Sequence, residues 1–161
     1  MNTLEMVIAL MVVYQFKHLI CDYLFQGYPF FPSMNLKFSP DPRIASIALA
    51  KHCSTHFIFT FVIAGIVSNS LKMAVGLSVI DFVSHFIMDL IKANPSMLGR
   101  YKPMDSATYY DCIQKINSDS AAARSEGHTI MMRNTYFWWS LGLDQTVHHL
   151  IHILIVFMLV R

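Results

Sequence analysis

Histidine and aspartate recur at four-residue intervals in four separate stretches of this chain. The six steps are His18–Asp22, His52–His56, Asp81–His85, His85–Asp89, Asp144–His148 and His148–His152. Two residues that are four apart lie on the same face of a helix. Imidazole and carboxylate groups bind transition metals and exchange protons. Each stretch is therefore a candidate helix face for metal or proton chemistry.

Composition alone accounts for few of these steps. The chain has 8 histidines and 8 aspartates among its 161 residues. A residue four positions on is then histidine or aspartate about one time in ten, so about one or two such steps are expected at random on helical spacing. Six are present. We therefore predict that the four stretches build one shared polar site.

The chemistry that fits this set is that of a divalent metal site. Zinc is the expected metal, manganese and iron are alternatives, and the number of candidate groups allows one ion or two. The predicted ligands are His18, Asp22, His52, His56, His85, Asp89, His148 and His152. Asp81 and Asp144 are predicted to orient the imidazole rings or to act as general bases. Lys92 and Gln26 are predicted to contact the substrate, the lysine as a point charge for a phosphate.

The helices that carry these residues are long and apolar. The chain is 55% hydrophobic and 14% charged, whereas soluble domains carry about 25% charged residues. Apolar runs of 18 or more residues are typical of transmembrane helices, and four occur, at about 3–26, 44–67, 71–91 and 138–160. We predict an all-α fold, a polytopic four-helix transmembrane bundle that forms a single membrane domain over 1–161.

Basic residues collect in two of the predicted loops, 27–43 and 92–137. These are Lys37, Arg43, Lys92, Arg100, Lys102, Lys115, Arg124 and Arg133, against only Lys72 and Arg161 on the opposite side. Positively charged loops remain in the cytoplasm. This predicts an integral protein of the bacterial inner membrane with both termini periplasmic. In an up-down bundle, all four ligand stretches then lie toward the cytoplasmic face.

The remaining segments carry weaker signals. The cytoplasmic loop 92–137 is predicted to contain one amphipathic helix that begins at Asp105 or Ser106, runs to about Glu126 and ends before Gly127. The three cysteines have no C-x2-C spacing, which favours small buried side chains over a disulfide framework or a zinc knuckle. There is no nucleic-acid motif, and we expect no nucleic-acid partner.

The ordered motifs resemble a family of small integral membrane proteins of bacteria and phages whose function is unknown. The resemblance is carried by His18-x3-Asp22-x3-Gln26, His52-x3-His56, Asp81-x3-His85-x3-Asp89 with Lys92, and Asp144-Gln145-x2-His148-x3-His152. It covers essentially the whole chain. The family is distantly similar to the YdjM-like proteins, which are called membrane-bound metal-dependent hydrolases. The resemblance therefore implies metal-dependent hydrolysis, and it is compatible with a phage origin and the membrane of a host cell.

Taken together, these features predict a membrane-embedded metal-dependent hydrolase that acts on a lipid or phosphoester at the cytoplasmic membrane face. Its expected partner is the lipid bilayer. The alternatives are a metal-ion or proton transporter, a di-iron oxidase, and a non-catalytic phage membrane factor with a structural metal. A transporter needs access to its site from both sides of the membrane, which a site near one face disfavours. The sequence leaves the oligomeric state open.

Overall fold

A computed structural model of the chain consists of helices joined by turns. It describes residues 2–25, 30–39, 41–93, 97 and 106–161, among which there is no β-strand. The α-helices are α1 (Thr3–Leu19), α2 (Pro42–Ser68), α3 (Leu71–Ala93), α4 (Ser106–Ile116), α5 (Ala121–Met132) and α6 (Thr135–Val160). A π-helical turn (Ile20–Leu24) follows α1, and a 3-10 helix (Pro32–Phe38) precedes α2. The prediction of an all-α fold is confirmed.

Four of the helical segments are long and apolar enough to cross a membrane. They are Thr3–Leu24, Pro42–Ser68, Leu71–Ala93 and Trp138–Val160. A helix rises about 1.5 Å per residue, so segments of 22 to 27 residues exceed the roughly 30 Å thickness of the bilayer hydrocarbon. The prediction of four helices long and apolar enough to cross a membrane is thus confirmed, with bounds that differ by a few residues at most.

The chain forms two compact units, one made of 1–93 with 146–161 and the other of 94–145. In the first unit, local side-chain caps fix where α1 and α2 begin. The Asn2 side chain accepts a hydrogen bond from the Glu5 backbone at 2.9 Å, while Glu5 accepts one from the Asn2 backbone at 3.0 Å. Asp41 accepts from the backbone of Arg43 at 2.8 Å. These bonds satisfy N–H groups that have no partner within a helix.

The interior of the first unit changes from apolar to polar along its length. Its apolar part is a buried cluster of Leu10, Tyr14, Ala64, Ala74, Leu77, Ile155, Val156 and Leu159. The adjacent turns of the same helices carry the histidines and aspartates. On α1, His18 follows Tyr14 by one turn on the same face, and on α6, His152 precedes Val156 by one turn. Small residues let α2 and α3 approach closely, since a Cβ on Gly65 would lie 3.8 Å from that of Ala74.

The second unit contains two short helices where one was predicted. The chain leaves α4 at Ile116 and begins α5 at Ala121, and the Ser120 hydroxyl accepts a hydrogen bond from the Ala123 backbone at 3.4 Å. The prediction of one helix to about Glu126 was therefore wrong, because the polar residues 117–120 favour a turn and a new N-cap. Its predicted start at Asp105 lies outside the described residues.

Gly127 lies inside α5 and not beyond the end of a helix. A Cβ at this position would meet the backbone oxygen of Cys112 at 2.9 Å, closer than real Cβ atoms come. Glycine is thus required by the close approach of α4 and α5. The same helix pair is joined by Lys115, whose ammonium donates to Glu126 at 2.9 Å. The hydrogen bond to Glu126, with a second to Asp111, raises the pKa of Lys115.

Candidate metal centre

Imidazole rings from all four long helices meet in the polar part of the first unit. The centroid of the His18 ring lies 5.3 to 5.8 Å from those of five other histidines: His56, His85, His148, His149 and His152. The His85 ring packs between His56, at 3.7 Å, and His148, at 3.9 Å. His52 lies 5.0 Å from His56. The structure therefore brings together every histidine among the predicted ligands.

The Asp22 carboxylate connects the end of α1 to α2. Its Oδ1 atom lies 2.8 Å from Nε2 of His56 and 3.4 Å from Nε2 of His52, and its Oδ2 atom lies 3.2 Å from Nε2 of His18. Asp22 belongs to the π-helical turn, in which the Phe25 backbone donates to the Ile20 carbonyl at 2.9 Å. Such turns often occur at functional sites.

The Asp81 carboxylate forms a second group of contacts. Its Oδ2 atom accepts hydrogen bonds from the Lys17 ammonium and the Thr60 hydroxyl, both at 2.5 Å. Its Oδ1 atom lies 3.2 Å from Nδ1 of His85 and 3.4 Å from Nε2 of His152. All five side chains are buried. An ion pair inside a membrane helix needs such hydrogen bonds, because they replace the lost hydration of both charges.

Asp89 is neutralised in the same way from outside the long helices. Its Oδ2 atom accepts from the Lys37 ammonium at 2.8 Å and lies 3.2 Å from Nε2 of His52. Lys37 belongs to the 3-10 helix and is buried. The sequence places this lysine among the positive loop charges, whereas the structure buries its side chain in the first unit. A carboxylate already paired with an ammonium is a weaker candidate ligand for a cation.

Two groups among the described residues of the first unit have the composition and closeness of a metal site. One consists of His18, Asp22, His56 and His85, and the other of Asp81, His85 and His152; in each, the ligand atoms lie within 4.8 Å of one another. In a tetrahedral zinc site with bonds of about 2.0–2.1 Å, ligand atoms are roughly 3.3 Å apart. Within the first group, Asp22 oxygens lie 3.2 Å from Nε2 of His18 and 2.8 Å from Nε2 of His56, close to that separation.

His85 has the hydrogen bonding of a metal-binding histidine. Its Nδ1 atom lies 3.0 Å from the backbone oxygen of Asp81, which can only accept, so the proton is assigned to Nδ1. Nε2 then carries a lone pair; this atom is buried and has no hydrogen-bond partner in the described part of the chain. A buried lone pair without a partner costs free energy. A metal ion would satisfy it, and the donor set therefore fits a divalent metal.

The other predicted site residues are distributed as follows. Asp144 is buried on α6 in the second unit, where the Gln145 amide donates to its Oδ2 atom at 3.2 Å. Lys92 is half-buried near the end of α3. Gln26 lies outside the described residues.

Several residues of this centre were not expected from the motifs. Thr60 is four residues beyond His56, so the spacing that identified the histidines could have found it. Lys17 also carried a signal, because a lysine inside a transmembrane helix costs about 2.5–3.5 kcal/mol on insertion scales and therefore needs a partner. The ring of His149, which does not fit the four-residue pattern, nevertheless lies 5.3 Å from that of His18. Lys37 gave no signal, since its burial depends on how the loop before α2 folds back.

Comparisons with protein-family models, with curated proteins and with solved structures gave no match for this chain. The functional argument therefore rests on the residues and their geometry.

Proposed function

We propose that this protein is a membrane-embedded, metal-dependent hydrolase whose metal ion is bound by His18, Asp22, His56 and His85. One observation supports this assignment above all others: these four side chains come from α1, the π-helical turn after it, α2 and α3, and their ligand atoms lie within 4.8 Å of one another. Three neutral imidazoles and one carboxylate suit zinc best, with manganese and iron as alternatives.

A divalent ion at this position would supply a Lewis acid and would lower the pKa of a bound water. The protein's own residues have separate tasks. Asp81 orients the rings of His85 and His152, because its Oδ1 atom faces a nitrogen of each. Of the two roles predicted for Asp81, its contacts with Lys17 and Thr60 favour the orienting role over that of a general base. A carboxylate held by an ammonium is a poor proton acceptor.

Two of the three histidines of α6, His148 and His152, are the proposed proton carriers. The His148 ring stacks on that of His85 at 3.9 Å, and the His152 ring lies 5.8 Å from it. Imidazole is the side chain that accepts and releases protons most readily near neutral pH. We assign to these rings the uptake of a proton from the attacking water and its return to the leaving group.

The proposed substrate is a lipid or another phosphoester at the cytoplasmic face of a bacterial inner membrane. The excess of Lys and Arg in the 27–43 and 92–137 segments supports this orientation. The resemblance to a membrane protein family that is similar to metal-dependent hydrolases supports the reaction type. Lys92, close to the end of α3, is the proposed contact for a phosphate group.

A second candidate function, proton-coupled or metal transport, is favoured by one specific observation. Lys17 and Asp81 form a buried ion pair within two of the membrane-spanning segments. Ionisable residues at such depth are rare and often belong to ion or proton pathways. The ion pair lies beside His152, which adds a group that exchanges protons.

The two candidates are separated by an activity assay in detergent. The purified protein is incubated with zinc, manganese or iron and with p-nitrophenyl phosphate or a phosphatidic acid, and phosphate or lipid products are measured. We expect metal-dependent turnover that is lost in His85→Ala and retained in the control His128→Ala, whose side chain is exposed on α5. If the metal-loaded protein hydrolyses neither substrate but carries metal or protons across proteoliposomes, the hydrolase assignment is wrong and transport replaces it.

A further inference from the structure

We propose that the centre binds a single divalent ion and that the ammonium group of Lys17 occupies the place of a second one. This inference rests on the proposed metal site and narrows it. The sequence offered enough ligands for two ions, and the structure supplies two candidate groups that share His85. The question is whether both groups are available to metal at once.

The shared histidine can complete only one of the two groups. An imidazole can bridge two metals only when both of its nitrogens have lost their protons. In this structure, Nδ1 of His85 faces the Asp81 backbone oxygen at 3.0 Å and the Asp81 Oδ1 atom at 3.2 Å. Both of these atoms are acceptors, so Nδ1 keeps its proton. Only Nε2 is then available, and His85 serves one metal.

The ammonium of Lys17 already fills the second group. Its Nζ atom lies 2.5 Å from Oδ2 of Asp81 and 3.2 Å from Nε2 of His152, which are two of the three members of that group. A zinc ion needs an aspartate oxygen at about 2.0–2.2 Å and a histidine nitrogen at about 2.0–2.1 Å. An ammonium and a divalent ion cannot both approach the same pair of atoms in this desolvated place, because they exclude and repel each other.

The Lys17 ammonium thus stands where a dinuclear centre would hold its second cation, with one positive charge in place of two. The Lys17 ammonium balances the charge of the Asp81 carboxylate, and the metal ion binds to the group that contains Asp22. The role of Thr60 follows, since its hydroxyl donates to the same Oδ2 atom as Lys17 and fixes the carboxylate toward the ammonium. Removing the ammonium should open the Asp81 carboxylate and Nε2 of His152 to a second ion, while His85 stays with the first.

The test is the number of zinc ions per chain, measured by mass spectrometry after the protein in detergent is saturated with zinc and the excess is removed. Met has nearly the length of Lys without the charge, so Lys17→Met removes the ammonium and keeps the packing. Lys17→Met/Asp81→Asn also removes the carboxylate ligand, and Lys72→Met removes an exposed lysine of α3 as a control. We expect one zinc in the wild type, two in Lys17→Met, and one in the double variant and in Lys72→Met.

The outcomes separate this inference from the proposed function. Two zinc ions in the wild type, with Lys17 present, would overturn the inference and leave the metal site standing. A folded Lys17→Met protein that still binds one zinc at saturation would also overturn it. No zinc in the folded wild type would overturn the proposed metal site itself. If Lys17→Met does not fold, one zinc in both the wild type and the double variant supports the inference, and two in either one contradicts it.

Discussion

Replacing Lys17 by Met should destabilise the protein much more than replacing Lys17 and Asp81 together. The wild-type ammonium lies 2.5 Å from the Asp81 carboxylate, and both side chains are almost completely buried, with exposed fractions of 1% and 0%. The single substitution leaves a buried carboxylate without its counter-charge. The double variant Lys17→Met/Asp81→Asn leaves no charge behind.

The size of the effect follows from these contacts. Removing one partner of a buried ion pair costs about 3–5 kcal/mol, whereas replacing both partners by uncharged groups of similar volume is often close to neutral. Asp81 keeps the hydrogen bond from the Thr60 hydroxyl in the single variant. We therefore expect a loss at the lower end, about 3 kcal/mol. For a chain of this size, that corresponds to a fall of roughly 6–12 °C in the unfolding midpoint.

The assay is thermal unfolding in one detergent with a chelator present, so that differences in metal content do not contribute. The wild type should have the highest unfolding midpoint, and the double variant should lie within a few degrees of it. The single variants Lys17→Met and Asp81→Asn should unfold at temperatures well below both. A Lys17→Met midpoint equal to that of the wild type would refute the reasoning, because it would mean that the ammonium is not buried against Asp81.

Three further predictions follow from single contacts. Gly127→Ala should lower the free energy of unfolding by about 1–3 kcal/mol through overpacking, because the new Cβ would meet a backbone oxygen at 2.9 Å. The control Gly142→Ala, whose Cβ would have no atom within 4 Å, should leave the stability unchanged. Equal unfolding midpoints for the two variants would contradict the close approach of α4 and α5. Asp41→Ala should lose about 0.5–2 kcal/mol of stability with the N-cap of α2; an unchanged midpoint would show that the cap is dispensable. Asp22→Asn should weaken zinc binding by more than about 100-fold, whereas Asp89→Asn should weaken it by no more than the 10–100-fold typical of groups that only orient ligands. Competition with a zinc indicator measures both affinities. The opposite order of the two losses would assign the metal to Asp89.

The fold was predictable where it depends on length and apolarity. A membrane span needs about 20 apolar residues, and the four apolar runs of this chain allow few interpretations other than long helices. The break between α4 and α5 was not predicted, because the single helix predicted to reach about Glu126 passes through residues 117–120. Those residues, Asn-Ser-Asp-Ser, favour turns. The need for glycine at position 127 depends on the neighbouring helix, and no local pattern reports such a contact.

The candidate site was predictable in its histidines and only partly in its carboxylates. Four-residue spacing places side chains on one helix face whatever the partner helix is, which explains why the rings converge. The spacing does not tell which aspartates are already neutralised. The pairing of Lys17 with Asp81 joins residues 64 positions apart, and that of Lys37 with Asp89 joins residues 52 apart. Only the folded chain distinguishes Asp22, which meets three imidazoles, from these two paired carboxylates.

The most direct test of the central claim is the metal content of the purified protein, measured per chain for the wild type, His85→Ala and the exposed-site control His128→Ala. A centre built from α1, α2 and α3 around Nε2 of His85 predicts one bound divalent ion in the wild type and in the control. It predicts no bound ion in His85→Ala. Equal metal content in all three folded proteins, or none in any of them, would contradict the account.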